Sequence, residues 1–443
     1  MISDEQRTSD LGRIALKFSE YYRGKIRVLP KVPINSLKDF SYWYTPGVAA
    51  VSTSINKNTD EAYNLTGKWN SVGIITDGTR VLGLGNVGPE ASLPVMEGKA
   101  MIFNYLGGVN AIPVPIRVTD KDTFVKVASA LEPSFGAYNL EDIESPKCFF
   151  VLEELQKSMN IPVWHDDQLG TACITLAGLI NSLKIVGKKK EDASVVLFGS
   201  GAANIATAYL LEAAGFDMKK LVIADSKGVL NPDRSDIDSL MFTNPWKYRL
   251  AMATNGERIS GESSKAFKGA DIVVSAAKSE PGTIHRDWIS TMNKDAIVFA
   301  LANPSPEIWP GDAKESGARI VATGRSDFPN QINNSLVFPG VFRGVLDARA
   351  RKVDFDIMVT AAESISGRIK EPDEDHIVPS MDDWHLYPEL ASAVAYSCVT
   401  KGYARRSESK NKFLEIATDI IEENRKAYAA LLDSGSIKPK PEA

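Results

Sequence analysis

The sequence predicts an α/β protein in three parts: a mixed α/β lobe at the amino end, then a doubly wound sheet of parallel strands, then helices. Two patterns carry this reading. Between residues 194 and 322, short apolar runs alternate with helical stretches, as in a parallel sheet covered on both faces. The last hundred residues show only helical spacing, as at Phe413, Ile416, Ala417, Ile420 and Ile421. The expected parts span residues 1–165, 166–370 and 371–443, the last packing back on the first part or on another subunit.

Taken in order, Leu11, Ile14, Ala15 and Phe18 mark one face of a first helix, and a Pro-punctuated segment follows from Pro30. Tyr44 stands just before Thr45-Pro46-Gly47, hence on a turn, where a scaffold presents working residues or an aromatic packs on the surface. Ser71 to Thr76, the turn dipeptide Asp77-Gly78 and the alternating run Arg80 to Leu84 predict a hairpin. Lys99 is expected to open the next helix, where Ile102, Phe103 and Leu106 share its face. Burial there would lower the amine's pKa and suit Lys99 to act as a base, although a lysine stem covering the core gives the same pattern.

The stretch from Asn139 to Ala172 holds two adjacent carboxylate pairs, Glu141-Asp142 and Asp166-Asp167, separated by one helix. Ser145-Pro146 reads as the helix start, and Ile161 to Trp164 as a short buried strand. A helix followed by a return strand can set the two pairs side by side. Close carboxylates resist ionising together unless a cation sits between them, and oxygen-only donors favour Mg2+ or Mn2+. The alternative is that Asp166 and Asp167 favour the amino end of the helix from Thr171 to Val186, with Glu141 and Asp142 as solvated loop charges.

Ser194 to Phe198 then runs straight into Gly199-Ser200-Gly201-Ala202-Ala203-Asn204 and a helix. Gly199 permits a tight turn, and Gly201 lets the backbone reach a pyrophosphate at the helix amino end. A second strand, Leu221 to Ala224, ends at Asp225, where an acid would bind ribose hydroxyls, while Lys227 would favour a 2'-phosphate. NAD and NADP both stay open. Strands at Ala270 to Ala276, Ala296 to Leu301 and Arg319 to Ala322 complete the sheet, separated by helical segments at Ser263 to Lys268 and Arg286 to Met292. Asn303 and Asn334 lie where ligands meet such sheets, or cap helices there.

The 443 residues suffice for two or three domains, and 44% hydrophobic with 24% charged residues is ordinary for a soluble globular chain. A net charge of -5 gives no pull toward nucleic acid or acidic membranes, so small ligands are the expected partners. No secretory signal and no membrane span are expected. Cys148, Cys173 and Cys398 are odd in number and widely spaced, which fits buried thiols in a reducing cytoplasm, and zinc spacing is absent.

Six motifs in order resemble the malic enzyme family over nearly the whole chain: Tyr44-Thr-Pro-Gly-Val-Ala, Asp77-Gly-Thr-Arg-Val-Leu-Gly-Leu-Gly-Asn, Glu97-Gly-Lys99, Asn139-Leu-Glu-Asp-Ile, His165-Asp-Asp-Gln, and Asn333-Asn-Ser followed by Phe338-Pro-Gly. The resemblance is to the shorter prokaryotic form. It implies oxidative decarboxylation of L-malate to pyruvate and CO2 with reduction of NAD or NADP. It further implies that Glu141, Asp142 and Asp167 hold Mg2+ or Mn2+, that Lys99 is the base with Asp166 beside it, that Tyr44 is the acid, and that Asn303 and Asn334 contact malate.

Arg80 matches the larger eukaryotic-type pattern, in which an arginine after Asp-Gly binds a substrate carboxylate; an exposed turn arginine is the alternative. The cofactor is expected along Thr171, Gly199, Gly201, Ala202, Ala203, Asn204, Asp225, Ser226, Lys227, Ala276 and Asn303. The resemblance also implies a homodimer or homotetramer, with a site a neighbour could complete. Competing expectations are a related decarboxylating or malolactic enzyme acting on another 2-hydroxy acid, and a nucleotide-binding regulator without catalysis.

Overall fold

The computed structural model describes residues 4–81, 83–118 and 120–442. Two parallel sheets organise it. The first takes β1 (Ser71–Thr76), β2 (Asn110–Pro115), β3 (Ala137–Leu140) and β4 (Val163–His165) in the order β2-β1-β3-β4. The second takes β5 (Val195–Phe198), β6 (Leu221–Asp225), β7 (Gly228–Val229), β8 (Ile272–Ser275), β9 (Ala296–Ala300) and β10 (Ala318–Thr323) in the order β10-β9-β8-β5-β6-β7. All its pairings are parallel except the short β6–β7 pair.

In both sheets the first strand of the sequence lies inside, with later strands added on either side. The strand order therefore reverses beside β1 and again beside β5, and such reversals open a crevice at the carboxyl ends of the strands. That geometry places Asp77 after β1, Glu141 after β3, Asp166 after β4, Gly199 after β5 and Ala276 after β8.

One continuous apolar core joins the two lobes, running from Ile74 and Phe103 through the helix Thr171–Val186 to Val195 and Leu197 on β5, and on to Phe338 and Leu390. The helix Thr171–Val186 is apolar on nearly every side because it lies between the lobes. The stretch Asp166–Val186 is long and apolar enough to cross a membrane, contrary to the expectation that no run would be; 72% of its 18-residue apolar window is buried inside the fold. The carboxyl helices Leu386–Thr400 and Lys410–Asp433 close over the first lobe, where Asn424 donates to the Asn104 carbonyl at 2.7 Å.

Four local expectations are corrected. The hairpin does not form among the described residues: β1 has parallel neighbours on both sides, and of the expected second strand, whose Leu82 lies outside the described residues, Val81 makes only one bridge, to Gly85. The apolar residues of β1 are buried by β2 and β3, whose pairing over longer sequence distances outweighs the local turn signal. Lys99 stands in the middle of the helix Gly88–Gly107, which runs on through Pro94. Pro146, following a cis Ser145-Pro146 bond, occupies the cap position, so the helix begins at Lys147. The segments at Ser263–Ala266 and Arg286–Ile289 are single turns rather than full helices.

Candidate active site

The helix Gly88–Gly107 delivers Lys99 into the crevice of the first sheet, because Phe103 and Leu106 on the same face are buried and fix its rotation. Its ammonium bonds Asp166 and lies 2.8 Å from Glu141 Oε1, with the Phe338 ring centroid at 4.6 Å. Burial pushes the Lys99 pKa down, but Asp166 and then Glu141 outweigh it and hold it above the ordinary lysine range. The expectation of an amine lowered by its apolar neighbours is therefore corrected for the chain by itself: the paired acids dominate.

Asp166 is wholly buried and held from three sides. Asn334 Nδ2 donates to its Oδ2 at 2.9 Å, Trp164 Nε1 donates to Oδ1 at 3.3 Å, and Lys99 bonds Oδ2. Thr171 donates in turn to Asn334 Oδ1 at 3.3 Å. Asn334 thus reaches the same crevice, and Asn333 caps the turn that places it by accepting from the Ser335 amide at 2.9 Å.

Glu141, Asp142 and Asp167 each bring one carboxylate oxygen within 4.8 Å of the others, as the spacing of two strand ends anticipated. Asn139 donates to Glu141 Oε2 at 2.7 Å and fixes its rotamer. Asp142 takes a left-handed backbone conformation (φ 54°), which a non-glycine residue adopts only where its surroundings enforce it. Burial pushes the Glu141 carboxyl up and Lys99 draws it down; Asp166, Asp167 and Asp142 push it up again, and it ends well above the ordinary carboxylate range. Crowded, oxygen-only and partly desolvated, this donor set fits a hard divalent cation.

His165 is fully buried next to the cluster, with Nδ1 3.8 Å from Asp167 Oδ2. Asp77 does a different task, pairing with Lys147 at 2.8 Å and accepting from the Thr79 hydroxyl to shape the loop that precedes the Lys99 helix. Neither role was anticipated; the ionic partner Lys147 is 70 residues away from Asp77 in sequence.

Arg80 is exposed, and its backbone amide donates to the Asp142 carbonyl at 3.0 Å, so it stands at the rim of the cluster. Tyr44 is not brought in. It ends the short helix Phe40–Trp43 and is 70% exposed, on an arm where Phe40, Tyr42 and Trp43 are exposed as well.

In the second sheet, Gly199 (φ 96°) turns so close to β8 that a Cβ there would stand 2.5 Å from the Ala276 carbonyl oxygen, a conformation and an approach that only glycine allows. Gly201 caps the helix Ala202–Ala213, and the first-turn amides of such a helix have no partner within it. Asn204 is buried and spends its amide on the carbonyls of Phe198, Gly199 and Val274, so its side chain braces the turn.

Asp225 is far more engaged than a ribose-binding acid at a strand end would suggest. Its carboxylate accepts from Ser200 Oγ at 3.0 Å, Arg234 at 2.9 Å, the Lys227 amide at 2.9 Å, and Lys247. Burial pushes its pKa up, but the Lys247 hydrogen bond and charge, with Arg234, bring it below the usual carboxylate value. Ser226 and Lys227 are exposed, and Lys227 pairs with Asp236 at 3.1 Å. Arg234 and Lys247 are cations that the motif alone did not single out. Asn303, on the loop after β9, is exposed, and its carbonyl oxygen would stand 3.3 Å from a Cβ on Gly83, so the second lobe's loop touches the loop of the first.

Residues 23–123 match the family model of the malic enzyme N-terminal domain, and residues 169–401 that of the malic enzyme NAD binding domain. The chain is 43% identical to a bifunctional malic/malolactic enzyme of Bacillus subtilis, over 88% of this chain and 94% of the relative. It is 39% identical to an NADP-dependent malic enzyme of Halomonas elongata, over 90% of this chain and 95% of that one. The crystal structure of malic enzyme from Pyrococcus horikoshii superposes with a TM-score of 0.92 at 43% identity, covering 96% of this chain and 99% of the other. With two family models matched in order and relatives covered nearly end to end, this chain belongs to the malic enzyme family of NAD- or NADP-dependent enzymes.

Proposed function

We propose that the protein converts L-malate to pyruvate and CO2, with reduction of NAD or NADP. The observation that carries this reading is the Lys99 ammonium set between Asp166 and Glu141, beside three convergent carboxylates, at the carboxyl ends of β3 and β4. Glu141, Asp142 and Asp167 would hold a divalent ion that would supply Lewis-acid assistance, and the bound dinucleotide would supply the hydride acceptor.

The chain's own groups do the rest. Lys99 holds and moves the proton of the C2 hydroxyl. Glu141 serves both Lys99 and the carboxylate cluster; once its oxygens are committed to the cluster, Lys99 keeps only Asp166, and its amine releases a proton more readily. Asp166, immobilised by Asn334 and Trp164, orients that amine. Arg80 at the rim offers a planar donor pair to the substrate's distal carboxylate, and Asn303 donates to the substrate from the second lobe, while Asn334, whose Nδ2 is spent on Asp166, shapes the opposite wall.

A phenol has to return a proton at C3, and Tyr44 is the residue for it. Its exposed position, on an arm with Phe40, Tyr42, Trp43 and the 94% exposed Val28, supports a homodimer in which the arm lies on a second copy and Tyr44 enters that copy's site. Arg234 and Lys247 around Asp225 place net positive charge at the end of β6, which favours NADP, whose 2'-phosphate needs a cationic neighbour. The buried free thiols of Cys148, Cys173 and Cys398 support a reducing, cytoplasmic setting.

The test is absorbance of the reduced nicotinamide with L-malate, Mn2+ and each cofactor, with and without a chelator. A chelator-resistant rate, or no malate-dependent rate with either cofactor, rejects the reading. The malolactic activity named for the Bacillus subtilis relative is the second reading, and it would yield lactate without net reduced cofactor.

A further inference from the structure

Glu307 of the second lobe is fully buried, and among the described residues no basic side chain pairs with it. A carboxylate taken out of water is costly unless donors surround it. Its donors come from the carboxyl ends of two adjacent strands. Oε1 accepts from Ser275 Oγ at 2.6 Å and from the Ala277 amide at 2.8 Å, both at the end of β8. Oε2 accepts from the Ala302 amide at 3.2 Å, just past β9. Its own carbonyl accepts from Gly282 at 2.9 Å and Ile284 at 3.1 Å, which folds the β8 loop back over it. Ser279 and Ser305 bond each other reciprocally at 3.0 and 3.1 Å, so the loops touch a second time.

We infer that Glu307 is a positioning residue, whose two carboxylate oxygens set the cofactor-side loop at Ala276 and the substrate-side loop at Asn303 in register. The inference rests on the proposed function for what each loop meets, and on the hydrogen bonds for the coupling. It touches neither ligand. The division of labour between the oxygens makes the role separable: Oε1 holds β8 and Oε2 holds β9.

Glu307→Gln exploits that division. The amide keeps one acceptor and turns the other position into a donor, and it settles with its oxygen toward Ser275 and Ala277, giving up the longer bond to Ala302. The Asn303 loop is then released by a donor facing a donor, while the β8 loop stays held. Ser275→Ala does the reverse, weakening the β8 side alone.

The experiment compares wild type, Glu307→Gln and Ser275→Ala in three measurements: initial rates against malate, binding of NADP and NAD without malate by calorimetry, and thermal midpoint. The expected result for Glu307→Gln is a malate KM raised roughly tenfold with cofactor Kd moved less than about twofold. For Ser275→Ala it is a cofactor Kd raised a few-fold, roughly, with malate KM unchanged. Unchanged constants in both variants, or losses of malate and cofactor affinity that rise together with a falling thermal midpoint, overturn the inference. If Glu307→Gln fails to fold, Ser275→Ala decides by its cofactor Kd alone, a quantity independent of turnover. Absence of malate-dependent turnover in wild type counts instead against the proposed function.

Discussion

The backbone amide of Asp142 donates to the Asp167 carboxylate at 3.0 Å, across 25 residues of sequence, so the loops after β3 and β4 are locked to each other at the cluster itself. The geometry of the carboxylate cluster is therefore preformed by the backbone. Asp167→Asn keeps an acceptor for that amide but removes one anionic donor, so the expected outcome is an intact fold with weakened Mn2+ binding. Titration followed by the paramagnetic resonance of free Mn2+ checks this, with roughly a tenfold or greater rise in Kd expected; wild-type affinity in the variant would remove Asp167 from the donor set.

A shared site makes a sharper demand. Tyr44→Phe and Lys99→Ala should each lose malate oxidation by about a hundred- to ten-thousandfold, as for acid and base groups in general. Co-expressed with different tags and purified as mixed dimers, the two variants should regain activity, because one of the two sites then combines an intact Lys99 with an intact Tyr44 from the other copy. Mixed dimers as inactive as the parents would place Tyr44 and Lys99 in the same copy.

On the proposed reading, cofactor choice turns on Lys247. Its bond to Asp225 leaves a cation beside the expected position of the ribose, and Lys247→Ala should raise the KM for NADP about tenfold or more while leaving that for NAD within about twofold. Equal effects on both cofactors would show Lys247 to be a brace for Asp225 alone.

How far the sequence carried these conclusions depends on the range of the interaction. Glu141, Asp142, Asp166 and Asp167 were legible because each pair follows a short apolar strand, and adjacent parallel strands align their carboxyl ends. The Gly199 turn was legible because its conformation excludes side chains. The hairpin at Asp77-Gly78 failed because a local turn signal says nothing about partners such as Ala137 and Asn110, 65 and 39 residues beyond Val72 and Ser71. Lys99's proton affinity was misjudged for the same reason: the acids that raise it arrive from other strands. Lys247 and Glu307 carry no motif, and only the folded chain shows what they touch.

His165 supplies a pH dependence whose sign follows from burial. Enclosure in the core lowers its pKa, against smaller raising effects from Asp167 and Asp166, so the folded chain keeps the ring neutral while the unfolded chain protonates it near an ordinary value of about 6.5. Between the folded and unfolded pKa values the unfolded state binds more protons, and stability falls as pH falls. The contribution of His165 is thus complete above about 6.5 and is lost progressively below it. Denaturant midpoints measured from pH 7.5 to 5 without metal should drop more steeply for wild type than for His165→Gln, which has no charge to acquire. Parallel slopes in the two proteins would mean that the acid sensitivity of the fold lies in another group.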